Sequence, residues 1–202
     1  MTVDEVMQLA PVIPVLVVDK VDDALPIARA LVAGGLRALE VTLRTEAALD
    51  AIREMAQVEG AVVGAGTVVS TQQLDAALTA GAHFIVSPGL TEPLARAVID
   101  NGVPYLPGVA TAGDIMRGMD LGLCRFKFFP AMTSGGIPAL KALAAPFFEA
   151  RFCPTGGITA ENAREWLAQP FVSCVGGSWV VPKGKPDPVA IEALARAAAS
   201  LR

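Results

Sequence analysis

A single histidine, a single tyrosine and only three cysteines in 202 residues leave little from which to build a metal centre or a disulfide framework. His83 has no cysteine, histidine or carboxylate cluster around it in sequence and reads as an ordinary residue at the start of a strand. Cys124, Cys153 and Cys174 are odd in number, far apart and without metal-ligand spacing. Their apolar, strand-like surroundings make them reduced core thiols of a cytoplasmic protein. Long hydrophobic runs are missing too: nothing approaches the ~18 apolar residues of a membrane span. The opening Met1-Thr2-Val3-Asp4-Glu5 lacks the basic-then-apolar layout of a signal peptide. Charge makes up 18% of the chain, scattered, with a formal net value of −4. No basic stripe for nucleic acid is visible, and Lys183 and Lys185, separated by Gly184, form too short a cluster to count as one. A membrane partner and a nucleic-acid partner are both excluded on this reading.

What the chain does have is apolar residues, 53% of the total, enough for a substantial core. They come in two alternating textures. Short apolar runs read as strands buried on both faces: Val12 to Val18, Arg37 to Leu43, Ala61 to Gly66, Phe84 to Ser87, Tyr105 to Val109, Leu123 to Phe128, Arg151 to Pro154 and Val172 to Val175. Stretches with helical spacing lie between them, such as Ala24 to Val32, Glu46 to Met55, Gln72 to Leu78 and Pro93 to Ile99. Several helices end on glycine followed by an apolar residue, at Gly35-Leu36, Gly81-Ala82, Gly102-Val103 and Gly122-Leu123, the pattern of a left-handed C′ position. One βα unit of about twenty-odd residues is thus repeated. Eight units favour an α/β fold of parallel strands closed into a single (β/α)₈ barrel over residues 1–202, near the lower size limit for that architecture. An open doubly wound sheet is the alternative. The segment before Val12, with Val6 and Leu9, is expected to form a short extra N-terminal helix plugging the barrel floor.

Chemistry in such barrels collects at the carboxyl ends of the strands. In Leu39-Glu40-Val41-Thr42-Leu43-Arg44, alternation puts Glu40 and Thr42 on the lumen face and Leu39 and Val41 against the helices. A structural ion pair of Glu40 with Arg44 is the bland alternative. The run Leu123-Cys124-Arg125-Phe126-Lys127-Phe128-Phe129-Pro130 sets a lysine among aromatics, with Arg125 on the same face. Lysine is rarely buried without a partner or a purpose. An amine with pKa ~10.4 is free base about once in two thousand molecules at pH 7. Apolar walls and nearby cations, for which Arg44 and Arg125 are candidates, can bring it to ~7–8 and make it a usable nucleophile. A lysine neutralised by a neighbouring acid is the structural alternative.

Two glycine-rich strand ends follow: Pro154-Thr155-Gly156-Gly157-Ile158, with Thr159 as an expected helix N-cap, and Gly176-Gly177-Ser178-Trp179. Loops after the last two strands commonly cradle phosphate in these barrels, since bare backbone N–H groups can approach the anion. Gly64-Ala65-Gly66-Thr67 lacks the third glycine of a dinucleotide fingerprint, and a Rossmann reading is rejected.

The stretches Gly35 to Arg44 and Gly122 to Ala131, with Gly135 beyond, resemble the two signatures of the KDPG/KHG aldolase family (2-keto-3-deoxy-6-phosphogluconate and 4-hydroxy-2-oxoglutarate aldolases). The segments Arg151 to Ile158 and Gly176 to Trp179 are also similar to that family, in matching order. The resemblance implies a class I aldolase in which Lys127 forms the Schiff base and Glu40 moves the protons. It implies that Arg44 and Thr67 bind the substrate carboxylate, with Thr155 close by and Phe129 packing on the substrate. Gly156, Gly157, Gly177 and Ser178 would hold a distal phosphate. The implied partners are a small-molecule 2-keto acid and a phosphorylated aldehyde; the implied assembly is a homotrimer; no cofactor and no metal are implied. Pro88 lies near the implied pocket and receives no chemistry. The expected reaction is cleavage of 2-keto-3-deoxy-6-phosphogluconate; cleavage of 4-hydroxy-2-oxoglutarate or of a galactonate-derived epimer, a phosphate-binding isomerase or epimerase barrel, and an assembly scaffold that kept the barrel are the rival readings.

Overall fold

The computed structural model describes residues 1–201. Its strands run parallel in every pair, and helices follow them along the chain, so the architecture is α/β. Six strands form one curled sheet: β1 (Val12–Leu16), β2 (Ala38–Thr42), β3 (Val62–Gly66), β4 (Phe84–Val86), β5 (Tyr105–Leu106) and β9 (Val175–Gly177), in the order β5-β4-β3-β2-β1-β9. Three more, β6 (Gly108–Val109), β7 (Arg125–Phe128) and β8 (Arg151–Pro154), form a second sheet. The expected fifth strand is therefore two short ones, split at Pro107, which has no N–H for a ladder. Its carbonyl still accepts the Lys127 N–H at 2.8 Å. The last strand lies further along than the apolar run Val172 to Val175 suggested. Its pairing with β1 sets Ile13 opposite Gly176 and Pro14 opposite Gly177, so both glycines are strand residues. Between β8 and β9 there are only isolated bridges, Phe152 to Val172 and Thr155 to Gly176.

Alternation along the strands sorts the apolar residues into two layers. Leu39 and Val41 of β2 join the large cluster against the helices, while Ala38 joins Ile13, Val62, Phe84 and Cys153 on the other face of the strands. Burial of each such Leu or Val stabilises the fold by about 1.5–3 kcal/mol. The helices present small and branched residues to this layer: α2 (Ala24–Ala33) buries Ile27, Ala28 and Leu31, and α3 (Ala48–Met55) buries Ala51, Ile52 and Met55. The next two, α4 (Thr71–Thr79) and α5 (Glu92–Asp100), also lie close to their expected spans. The four helix-ending glycines, Gly35, Gly81, Gly102 and Gly122, all have positive φ, as their C′ role requires.

The extra N-terminal helix is α1 (Val3–Gln8), six residues held by a capping box in which Glu5 N–H donates to Thr2 Oγ1 and Thr2 N–H to Glu5 Oε2. It buries Val6 and Met7 in the same cluster as Ile13, Phe84 and Cys153, and Leu9 packs against that cluster, closing its floor. Asp4 of α1 pairs with Arg125 Nε at the start of β7. His83 is exposed just before β4, its Nδ1 accepting the Val63 N–H. Among the described residues no disulfide joins the three cysteines; Cys153 and Cys174 are buried and Cys124 partly so. Among the described residues, no helix is long and apolar enough to cross a membrane.

Candidate active site

Register decides which side chains share a level inside the strands. Glu40 of β2 lies beside Val15 of β1 and Gly64 of β3; Lys127 of β7 lies beside Gly108 of β6 and Cys153 of β8. The two polar groups thus come from different sheets, and they meet: Lys127 Nζ donates to Glu40 Oε1 at 2.9 Å. Both side chains are nearly sealed, 7% and 2% exposed. Removing two charges from water costs several kcal/mol per ion, offset here by their pairing but not by any gain a Leu–Leu contact could not supply. The acid that would neutralise a structural lysine and the base that a catalytic lysine needs are one residue. The ring of Phe129 lies 5.4 Å from Lys127 Nζ, a cation–π distance.

Room for the Glu40 carboxylate comes from a residue with no side chain. A Cβ at Gly66 would stand 2.3 Å from Glu40 Oε1. The Gly-Ala-Gly run of β3, tempting as a nucleotide signature, serves packing instead, with Gly64 admitting the Phe84 ring in the same way. Sequence reasoning did not see this role; the alternation Gly64, Gly66 on the Glu40 face was the available signal. Thr67, directly after β3, has φ +60°, a conformation costly for a β-branched residue and frequent at functional sites. Thr42, on the Glu40 face, donates its hydroxyl to Leu16 O at 2.8 Å and so ties β2 to β1.

Above the ion pair opens a cleft of about 740 Å³. Arg44, Phe129, Thr155, Gly156, Gly157 and Ser178 all line it, so six of the expected residues converge. Lys127, Glu40 and Thr67 do not form its walls, and Gly177 is buried within β9, its Cα facing the Trp179 ring. Gly176 is the glycine that lines the cleft, and a Cβ there would meet Thr155 Oγ1 at 2.2 Å. Gly156 and Gly157 turn with φ +101° and +78°. Among the described residues, the Gly157 and Ser178 N–H groups find no acceptor. Val15 and Val17 of the β1 end, Asp19, Asp23 and Lys183 also line the cleft and were not singled out from sequence as site residues.

Two expectations are corrected by local bonding. Arg125 does not serve as a cationic neighbour of Lys127: its guanidinium is taken by Asp4 and by the Cys124 and Glu149 carbonyls at the amino end of β7. Thr159 is not a helix N-cap. The helix α8 (Ala163–Leu167) is preceded by Asn162, whose Oδ1 accepts the Thr159 N–H at 2.9 Å. Near the end of β4, Ser87 Oγ donates to Gly89 O at 2.6 Å and lies 2.7 Å from Tyr105 Oη. Burial pushes the Tyr105 hydroxyl above its ordinary pKa, with the Ser87 hydrogen bond opposing. This pair fixes the Ser87-Pro88-Gly89 turn without adding a reactive group.

Among the described residues there is no group of three or more His, Cys, Asp or Glu that could hold a metal ion. The chemistry available is that of a buried amine paired with a buried carboxylate, beside an open cleft.

The chain is similar to known proteins along nearly its whole length. The family model for KDPG and KHG aldolase matches residues 3–194. The 2-dehydro-3-deoxy-phosphogluconate aldolase of Zymomonas mobilis is 58% identical over 200 residues, 99% of this chain and 96% of the relative. The KHG/KDPG aldolase of Escherichia coli is 55% identical over 180 residues, 89% and 84% of the two chains. A crystal structure of KDPG aldolase from Legionella pneumophila, with pyruvate captured at low pH as a covalent carbinolamine intermediate, has a TM-score of 0.96 at 43% identity and covers 99% of both chains. The chain belongs to the KDPG and KHG aldolase family.

Proposed function

We propose that this chain is a class I aldolase that cleaves 2-keto-3-deoxy-6-phosphogluconate to pyruvate and glyceraldehyde 3-phosphate through a Schiff base on Lys127. The observation that carries the reading is the sealed contact of Lys127 Nζ with Glu40 Oε1 at 2.9 Å. Glu40 takes a proton from the ammonium, and the freed amine attacks C2 of the keto acid. Glu40 returns that proton to the carbinolamine hydroxyl, and loss of water gives a protonated imine, an electron sink. Glu40 then takes the C4 hydroxyl proton; the C3–C4 bond breaks, its electrons pass into the imine, and the aldehyde leaves. The enamine is protonated at C3, and hydrolysis releases pyruvate and restores Lys127. A single carboxylate suffices because each proton it takes up is one it later returns.

Arg44, which lines the cleft, and Thr67, directly after β3, bind the carboxylate, with Thr155 near and Phe129 against the substrate. The distal phosphate lies against Gly156, Gly157, Gly177 and Ser178, supported by the two N–H groups left free there. The chain is a single (β/α)₈ domain whose two sheets close into a ring, supported by the bond to Pro107 O and the β8–β9 bridges. It assembles as a homotrimer, supported by apolar side chains left open such as Phe148, 79% exposed. Three cysteines joined by no disulfide among the described residues support a cytoplasmic location.

Borohydride reduction in the presence of pyruvate, read by peptide mass spectrometry, tests the mechanism. A pyruvate-derived adduct is expected on the peptide carrying Lys127 and none in Lys127→Ala. Folded protein that yields no adduct would remove the Schiff-base reading.

A further inference from the structure

Four charged residues line the cleft: Arg44, Asp19, Asp23 and Lys183. Lys183 belongs to the segment that follows β9, and it shares the lining with Ser178, Gly156 and Gly157. It is exposed, and none of the ion pairs among the described residues involves it. Gly184, next in the chain, has φ +106° and open space around it, so the turn that carries Lys183 is not held by packing on that residue.

We propose, resting on the aldolase reading of this site, that Lys183 is a specificity-determining residue whose ammonium binds the phosphate dianion at the distal end of the substrate. Charge balance carries the argument. The four lining groups cancel, two cations against two carboxylates. A phosphorylated 2-keto acid brings a carboxylate at one end and a phosphate of about −1.5 to −2 at the other. Arg44 is committed to the carboxylate end, which leaves Lys183 as the remaining cation of the cleft. Without it the lining has a net charge of −1, and Asp19 and Asp23 repel the phosphate in a chain whose overall charge is already −4.

The glycine and serine N–H groups supply direction but no charge, so they hold the phosphate without strongly preferring it to a neutral polar end. Lysine supplies a compact point charge on a flexible stem, suited to a phosphate that enters and leaves on every turnover. Lys183 thus sets the preference for phosphorylated over non-phosphorylated 2-keto acids, and the Gly-Ser frame sets position.

The test compares kcat/KM for 2-keto-3-deoxy-6-phosphogluconate with that for 4-hydroxy-2-oxoglutarate, at low and at physiological ionic strength, in wild type, Lys183→Gln and Lys183→Arg. Lys183→Gln is expected to lower the ratio of the two values about five- to tenfold, through KM and not kcat, and to flatten its salt dependence. Lys183→Arg, which keeps the charge, is expected to hold the ratio within about threefold of wild type. A wild type that prefers the phosphorylated substrate, with a Lys183→Gln ratio within twofold of it, overturns the role of Lys183 alone. A wild type that cleaves neither substrate overturns the aldolase reading, and the role of Lys183 with it.

Discussion

A methyl group added at Gly66 would stand 2.3 Å from Glu40 Oε1 and 2.6 Å from Glu40 Cγ. The carboxylate would have to leave its place beside Lys127 Nζ, although no charge has been changed. Displacements of about 1 Å in a catalytic group can cost about 10²-fold. Gly66→Ala is therefore expected to lower kcat by about 10²-fold, approaching Glu40→Gln, which removes a general base worth about 10²–10⁴-fold. Both variants should still form the borohydride-trapped pyruvate adduct, though more slowly, because the amine is intact and can lose its proton to water instead of Glu40. Steady-state cleavage assays and trapping on the same preparations separate the two steps, and full cleavage activity in Glu40→Gln would overturn its role. At this scale the sequence was legible where chemistry contradicts environment. A lysine among Phe126, Phe128 and Phe129, and a glutamate between Leu39 and Val41, are out of place unless they meet. Gly66 was not legible, because a glycine that makes room for another strand's side chain looks like a glycine that makes a turn. Lys183 was passed over for a related reason, since two lysines around a glycine identify no partner until the chain brings one of them to a cleft.

The helix α6 (Ala112–Asp120) shows how one side chain holds a whole element. Asp114 Oδ2 accepts the Ala110 N–H at 3.0 Å, the Thr111 N–H at 2.9 Å and the Thr111 hydroxyl at 2.8 Å, and Arg117 pairs with Oδ1. Burial raises the Asp114 pKa, but those hydrogen bonds and the guanidinium outweigh it and hold the carboxyl below its ordinary value. Depressed in the folded chain, it stabilises the fold fully above the unfolded carboxylate value near pH ~4. The contribution is lost as the pH falls through the lower folded value. Asp114→Asn is expected to cost about 1 kcal/mol at pH 7, in line with capping residues generally, and less as the pH is lowered below about 4. Thermal melts of both proteins across that range measure it; a difference that did not change with pH would place the loss in packing and not in the charge. Helices that end on a C′ glycine were the legible ones, α2 and α5 among them. The last strand was not. Val172 and Cys174 look more like a strand than Gly176 and Gly177, yet the glycines pair with Ile13 and Pro14 because only there can Thr155 and the Trp179 ring fit. Arg125 misled for an element-level reason as well: alternation gives the face of a strand, not the height along it, and α1 captures it at the floor.

For the molecule as a whole, the hydrogen bonding is uneven around the strands. Between β2 and β3 the ladder runs unbroken from the Ala38–Val62 pair to Thr42–Gly66, with further strands on both sides. Between β8 and β9 there are isolated bridges, with Ser173 N–H on Phe152 O at 3.0 Å and Phe152 N–H on Phe171 O at 2.9 Å. Local opening follows the weakest hydrogen-bonded seam, and the free energy of such openings ranges from near zero up to that of global unfolding. The Ser173 amide is thus expected to exchange with solvent at least about tenfold faster than the Val63 and Val41 amides at the same intrinsic rate. The seam runs directly into Thr155 and Gly156, where substrate is held in the proposed reaction. Trapping pyruvate on Lys127 should accordingly slow exchange at the seam more than in the β2–β3 ladder. Hydrogen–deuterium exchange read by mass spectrometry on free and trapped protein decides it. Equal protection at Ser173 and Val63 would mean that the two sheets open as one cooperative unit, so that binding at the β8 end is felt across both sheets and not first at the seam.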